Sequence, residues 1–247
     1  YTGPRKAMKA KRAEVQRSSA GLVVDQGVDF ALNVAPQIFT PAGKDPKMLQ
    51  KMKEEIQGFA PLFDDIKVFL GSSSDYVAAM HMNLQADNAY FWADEHGDLD
   101  VGVFDWCGFN RCPFVMNFMG CLSGAEAEVL DEHEEGLMKI FCDEYERYGG
   151  PHIELADMLL RYRLQWPMCV MDACQWVERD IYRECPKEEW KTIKSKMDDK
   201  FISRWNVRCR GTTLVNAFEY YPRRDFKRIV NEWKDGIGKP FITPYTA

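Results

Sequence analysis

The sequence predicts an α+β chain that is mostly α, with one short β-hairpin set into a large helical subdomain. Most apolar residues recur at helical spacing between proline, glycine and capping residues. One pair of short aromatic and β-branched runs, Asn88–Trp92 and Leu99–Phe104, flanks the polar, Gly-containing loop Ala93–Asp98, which is the signature of a hairpin. Hydrophobic residues at 46% with 13% aromatics are globular values. A chain of 247 residues can bury a substantial core as one large domain or two small ones. The division drawn here is a basic arm over residues 1–20 and a single domain over 21–247.

In chain order, residues 1–20 read as loosely structured or helical, and Val23–Val34 as a helix or an edge segment. Asp45 caps a helix that begins at Pro46 and carries an apolar stripe at Met48, Leu49, Met52 and Ile56. Phe63, Ile66, Val68 and Phe69 repeat at helical spacing, and Gly71–Ser74 is a plain turn. The hairpin follows at about 88–104. Trp106, Phe109 and Phe114, close together after it, are costly to leave in water and are expected to be buried where this loop meets the helices.

Pro113 is expected to open a helix that runs through Gly120. Ser123, with Glu126 three residues on, forms the pattern of a capping box for a helix running to Arg147 and stopped by Gly149, Gly150 and Pro151. A further helix spans roughly 152–183, with Pro167 as the place where it would bend. Pro186–Trp190 opens another, and Gly211 begins the last group, which ends near Gly236. Trp166, Met168, Met171 and Trp176 form a Met- and aromatic-rich patch on the long helix, the common mark of core packing.

Charge excludes some functions. Residues 1–17 hold six basic side chains and one acid, so the rest of the chain carries a clear negative excess within a net charge of −6. An acidic body is the opposite of a nucleic-acid footprint. The basic start leaves three readings open: the remnant of a plastid or mitochondrial transit region, an arm that lies on an acidic partner or an anionic membrane face, or an ordinary solvated helix start. No run reaches the roughly 20 apolar residues of a transmembrane helix. The expectation is therefore a soluble, intracellular protein, in an organelle or otherwise in the cytoplasm. The eight cysteines form no C-x-x-C pair and no finger spacing with histidine, so reduced, mostly buried thiols are expected; only Cys107 and Cys112 are placed for redox behaviour.

The informative stretch is His81-Met82-Asn83-Leu84-Gln85-Ala86-Asp87-Asn88, followed by Val103-Phe104-Asp105-Trp106. It resembles the catalytic loop and metal-binding aspartate of the aminoglycoside phosphotransferase and choline kinase superfamily, including its ecdysteroid-kinase-like branch. There the loop reads H-G-D-x-H-x-x-N, and an I-D-W or I-D-F triplet follows a short hairpin. The resemblance extends over roughly residues 30–235, with sharp motifs only between 81 and 106. It implies a kinase-like C-lobe with the N-lobe absent or incomplete, since no G-x-G-x-x-G loop with a strand lysine precedes His81. A start at Tyr1 suggests processing or a longer parent chain.

Three departures set the functional expectation. Met82 replaces the glycine, Gln85 the second histidine, and Asn83 the catalytic aspartate. Phosphoryl transfer needs a carboxylate to orient the acceptor hydroxyl and take its proton, a contribution of roughly 10²–10⁴-fold. An amide accepts a hydrogen bond but binds no proton. By the same resemblance Asn88 and Asp105 form a vestigial Mg-ATP site, with oxygen ligands of the type Mg²⁺ prefers. No resident cofactor is expected. The first expectation is a non-catalytic accessory or structural subunit that binds other protein chains of a larger, possibly organellar assembly. The alternative is a small-molecule phosphotransferase using Mg-ATP, with Asp87 as an unusual base.

Overall fold

The computed structural model describes residues 3–81 and 83–242. Among them the chain is mostly helical and carries two separate two-stranded sheets. It divides into two compact units, one drawn from Tyr1–Phe69 and Arg163–Ala247, the other from Leu70–Tyr162. Met82, the residue in the place of the motif glycine, lies outside the described residues, as do Tyr1 and Thr2 of the basic arm.

The first unit is helical. Its long opening helix α1 (Gly3–Asp29) runs on without a break at residue 20 and continues into a π-helical turn, Phe30–Val34. The segment Val23–Val34, left open between helix and edge strand, is therefore helical. Helix α2 (Pro46–Phe59) starts as expected: Pro46 takes the first position, and the Asp45 carboxylate accepts from the Lys47 N–H at 2.8 Å. Its buried face is Leu49, Met52, Ile56 and Phe59. The Lys53 ammonium donates to Asp25 at 2.6 Å and pins α2 to α1. Helix α3 (Phe63–Leu70) completes this half.

Gly27 allows one close approach inside this unit. A Cβ on Gly27 of α1 would stand 2.4 Å from Cys174 Sγ and 3.0 Å from the Phe218 ring, so only hydrogen fits there. The core is aromatic: Trp166 stacks on Tyr220 at 4.1 Å, and Phe30 meets the edge of Trp190 at 4.7 Å. Of the Met- and aromatic-rich patch, Trp166 and Met168 are buried in the core, while Met171 and Trp176 are half-buried. Two expectations change at the far end. Lys187–Thr192 forms a 3₁₀ helix rather than an α-helix. Gly211 lies in the middle of its helix, which begins at Trp205, because an added Cβ there would touch the Phe201 ring at 3.1 Å.

The second unit holds the four strands found among the described residues. Strands β1 (Val77–Met80) and β4 (Asn110–Pro113) pair antiparallel, Val77 opposite Pro113 and Met80 opposite Asn110. Strands β2 (Ala89–Ala93) and β3 (Leu99–Val103) form the expected hairpin, Ala89 opposite Val103 and Ala93 opposite Leu99. The expectation of a single hairpin is corrected by the β1–β4 pair. Pro113 ends a strand instead of opening a helix, a position at the margin of the ladder where its missing N–H is tolerated. Helix α4 then spans Val115–Leu122.

The expected capping box is also corrected. Ser123 closes α4, its N–H donating to the Met119 carbonyl at 3.1 Å, and helix α5 (Ala127–Arg147) starts four residues later behind Glu126. The stop after Arg147 is as expected: Gly149 has φ +88°, and the Gly150 N–H donates to Tyr145 O at 2.9 Å. Helix α6 (Leu155–Trp176) runs through Pro167 and into a π-helical turn, Val177–Ile181. In this unit the buried Arg161 guanidinium lies 3.5 Å from the Tyr76 ring and donates to Leu70 O at 3.1 Å, while the Tyr76 hydroxyl donates to Asp157. Among the described residues no helix is long and apolar enough to cross a membrane.

Candidate functional site

The loop between β1 and β2 is held from two sides. His81 is buried at the end of β1. Its Nδ1 accepts from the Asn83 N–H at 3.2 Å, which leaves the ring proton on Nε2, and Nε2 faces the Phe104 carbonyl at 2.7 Å. Asn88 is buried in the 3₁₀ turn Ala86–Asn88 that leads into β2. Its side-chain amide donates to Asn83 O at 2.8 Å, and its own carbonyl accepts from the Phe104 N–H at 3.1 Å. Both peptide groups of Phe104 are therefore spoken for by the loop: the carbonyl by His81, the N–H by Asn88.

Asp105 comes next in the chain, at φ +62° and ψ +55°. It is the single non-glycine residue with positive φ among the described residues. That conformation is sparsely populated for residues with a Cβ and persists only where neighbours over-determine it. Here the neighbours are visible. Phe104 is clamped on one side, and the 3₁₀ turn Trp106–Gly108 follows on the other, with Trp106 Nε1 donating to Val103 O at 3.2 Å and its ring 4.7 Å from His81. The Asp105 carboxylate is exposed, and its hydrogen bond to the Cys107 thiol holds that thiol above its usual range.

His81, Asn83 and Asn88 thus form one hydrogen-bonded loop, and Asp105 sits one peptide beyond the residue that loop clamps. Because the Asn88 side-chain N–H group is engaged, its Oδ1 is the atom left for a cation. An amide oxygen and a carboxylate are hard ligands that suit Mg²⁺ with phosphate oxygens and water completing the shell. Among the described residues no group of three or more His, Cys, Asp or Glu could hold a metal ion by itself. The Asn83 side chain is exposed, and so is that of Asp87. Gly71–Ser74 is the plain turn expected, with Ser73 Oγ accepting from the Asp75 N–H at 3.2 Å.

One expectation fails here in part. Trp106 and Phe109 are 50% and 57% exposed, while Phe114 is buried against Phe141 and Tyr145. Trp106 satisfies its N–H locally and covers His81 with one edge, which leaves the rest of the ring outside. Cys107 is exposed, and Cys112 Sγ lies 3.2 Å from Met80 Sδ. The hub role of the Phe104 peptide was not anticipated, and it could not be, since backbone groups carry no residue signature. No family model, no curated protein and no solved structure matches the chain.

Proposed function

We propose that this chain is a kinase-like C-lobe whose phosphotransfer site is degenerate, and that it works by binding, as an accessory or structural subunit of a larger assembly. The observation that carries the reading is Asn83. By the resemblance it stands at the base position, in a loop held by hydrogen bonds among His81, Asn83, Asn88 and the Phe104 peptide. A site that keeps its scaffold and lacks its proton acceptor is organised to hold a shape rather than to move a proton.

Asn88 Oδ1 and the Asp105 carboxylate would hold a Mg-nucleotide if one binds, and the metal would then neutralise phosphate charge. With two protein ligands, that binding is weak. The basic helix α1 fits an anionic surface, either an acidic partner or a membrane face in an organelle.

The test is phosphate transfer from Mg-ATP to a panel of hydroxyl and amine acceptors by the purified chain. The expected result is no turnover, and no gain in Asn83→Asp. Turnover that disappears in Asp105→Ala would replace this reading with the phosphotransferase alternative, and loss in Asp87→Asn would identify its base.

A further inference from the structure

The β2–β3 hairpin shows water an apolar side chain on both faces. On one face Tyr90 and Trp92 stack at 5.1 Å, with Phe104 6.3 Å from Tyr90; the Tyr90 ring lies across Gly102, where a Cβ would be 2.3 Å from it. On the other face Phe91 stands opposite Val101, and Ala93 opposite Leu99. Phe91 is 62% and Leu99 78% exposed. A two-stranded hairpin is marginal in water on its own, and contiguous exposed apolar surface of this kind marks an interaction site.

Charge selects the occupant. Residues 87–105 contain six acidic side chains and no lysine or arginine, and residues 68–138 contain thirteen acids and one arginine, Arg111. Asp100 stands directly opposite Trp92, on the same face as the aromatic stack. Ring faces bracketed by carboxylates attract ammonium and guanidinium groups, by the ring quadrupole and by charge-assisted hydrogen bonds. Each strand of the hairpin also has one edge without a neighbouring strand in its sheet, where an extended chain can add main-chain hydrogen bonds.

We infer that this hairpin is the docking surface for an extended, lysine- or arginine-rich segment of another protein, which lies along it as an added strand. Its basic side chains meet the Tyr90, Trp92 and Asp100 face, and its alternate apolar side chains meet Phe91 and Leu99. This names the partner chemistry for the binding role proposed above, and it rests on that role.

The experiment titrates the full chain into labelled ten-residue peptides that alternate Lys with Val, Glu with Val, and Lys with Ser, read by fluorescence anisotropy. The Lys/Val peptide is expected to bind best, to weaken with salt, and to weaken roughly tenfold in Asp98→Asn/Asp100→Asn and in Trp92→Ala. Bound peptide should slow amide exchange in the hairpin. The double Asp variant keeps every ring, so it reads charge even where Trp92→Ala unfolds the hairpin.

Equal binding of the Glu/Val peptide, affinity unchanged in the Asp variant, or no binding at all would overturn the inference. Self-association of the chain that the same substitutions abolish would assign the surface to a second copy and overturn it as well. Absent peptide binding with absent phosphate transfer loses only this inference; measurable transfer loses the subunit role whatever the peptides do.

Discussion

At Asp105 a single backbone angle links fold to site. A left-handed residue with a Cβ costs on the order of 1–2 kcal/mol, which glycine would not incur. Asp105→Gly is therefore expected to leave stability unchanged or raise it by up to about 1 kcal/mol. Asp105→Val should lower it by about 1–3 kcal/mol, because a β-branched residue is a poor occupant of this region. Urea denaturation of the two variants checks this, and equal effects would mean that φ is not strained. His81 tests the other anchor: His81→Leu strands the Phe104 carbonyl and the Asn83 N–H, at a cost of about 1–3 kcal/mol for each group left unsatisfied. Faster amide exchange at Asn83 and across residues 104–106 would locate that loss.

For the secondary-structure elements, two glycines make opposite predictions. Gly27 lets α1 lie against Cys174 and Phe218, both buried, so Gly27→Ala overpacks the first unit and should cost about 1–3 kcal/mol. Gly102 meets only the outer end of the Tyr90 ring, which can swing aside into solvent. Gly102→Ala should therefore change stability by less than about 0.5 kcal/mol while breaking the Tyr90–Trp92 stack. A drop in Lys/Val peptide affinity without a shift in the denaturation midpoint is the expected signature. The hairpin itself was legible because aromatic and β-branched runs flanked a Gly-containing loop. The β1–β4 pair was not, since Val77–Met80 and Asn110–Pro113 have weak strand character and become strands only by meeting across thirty residues of chain.

Over the whole molecule, stability should fall at both ends of the pH scale. In the first unit the Arg179 hydrogen bond holds Asp180 below the ordinary 3.8, the Lys187 ammonium does the same for Asp29, and the N–H groups of Lys194 and Lys200 do so for Asp198. A depressed carboxyl contributes stability that is present above its unfolded value and lost as pH falls through the folded one. Acid below 3.8 should thus weaken the first unit. In the second unit burial, then the Asp157 hydrogen bond, pushes the Tyr76 hydroxyl from 10.0 up to about 12. Its contribution is complete below 10.0 and lost as pH rises toward about 12. The stability advantage of the wild type over Tyr76→Phe should therefore shrink as pH rises from 10.0 toward about 12, measured by urea denaturation; a constant difference would show that Tyr76 does not titrate there.

The sequence by itself determined the helical majority, the Asp45–Pro46 helix start, the stop at Gly149 and the β2–β3 hairpin, because each is written in neighbours a few residues apart. Only the tertiary structure decided that His81 and Asn88 clamp the two peptide groups of Phe104, and that Asp105 is thereby forced into the left-handed region. Only it left Trp106 and Phe109 in solvent, against the expectation from their size. Local propensity needs no partner, whereas backbone hydrogen bonds across the fold and the burial of a ring depend on which distant residues arrive beside them.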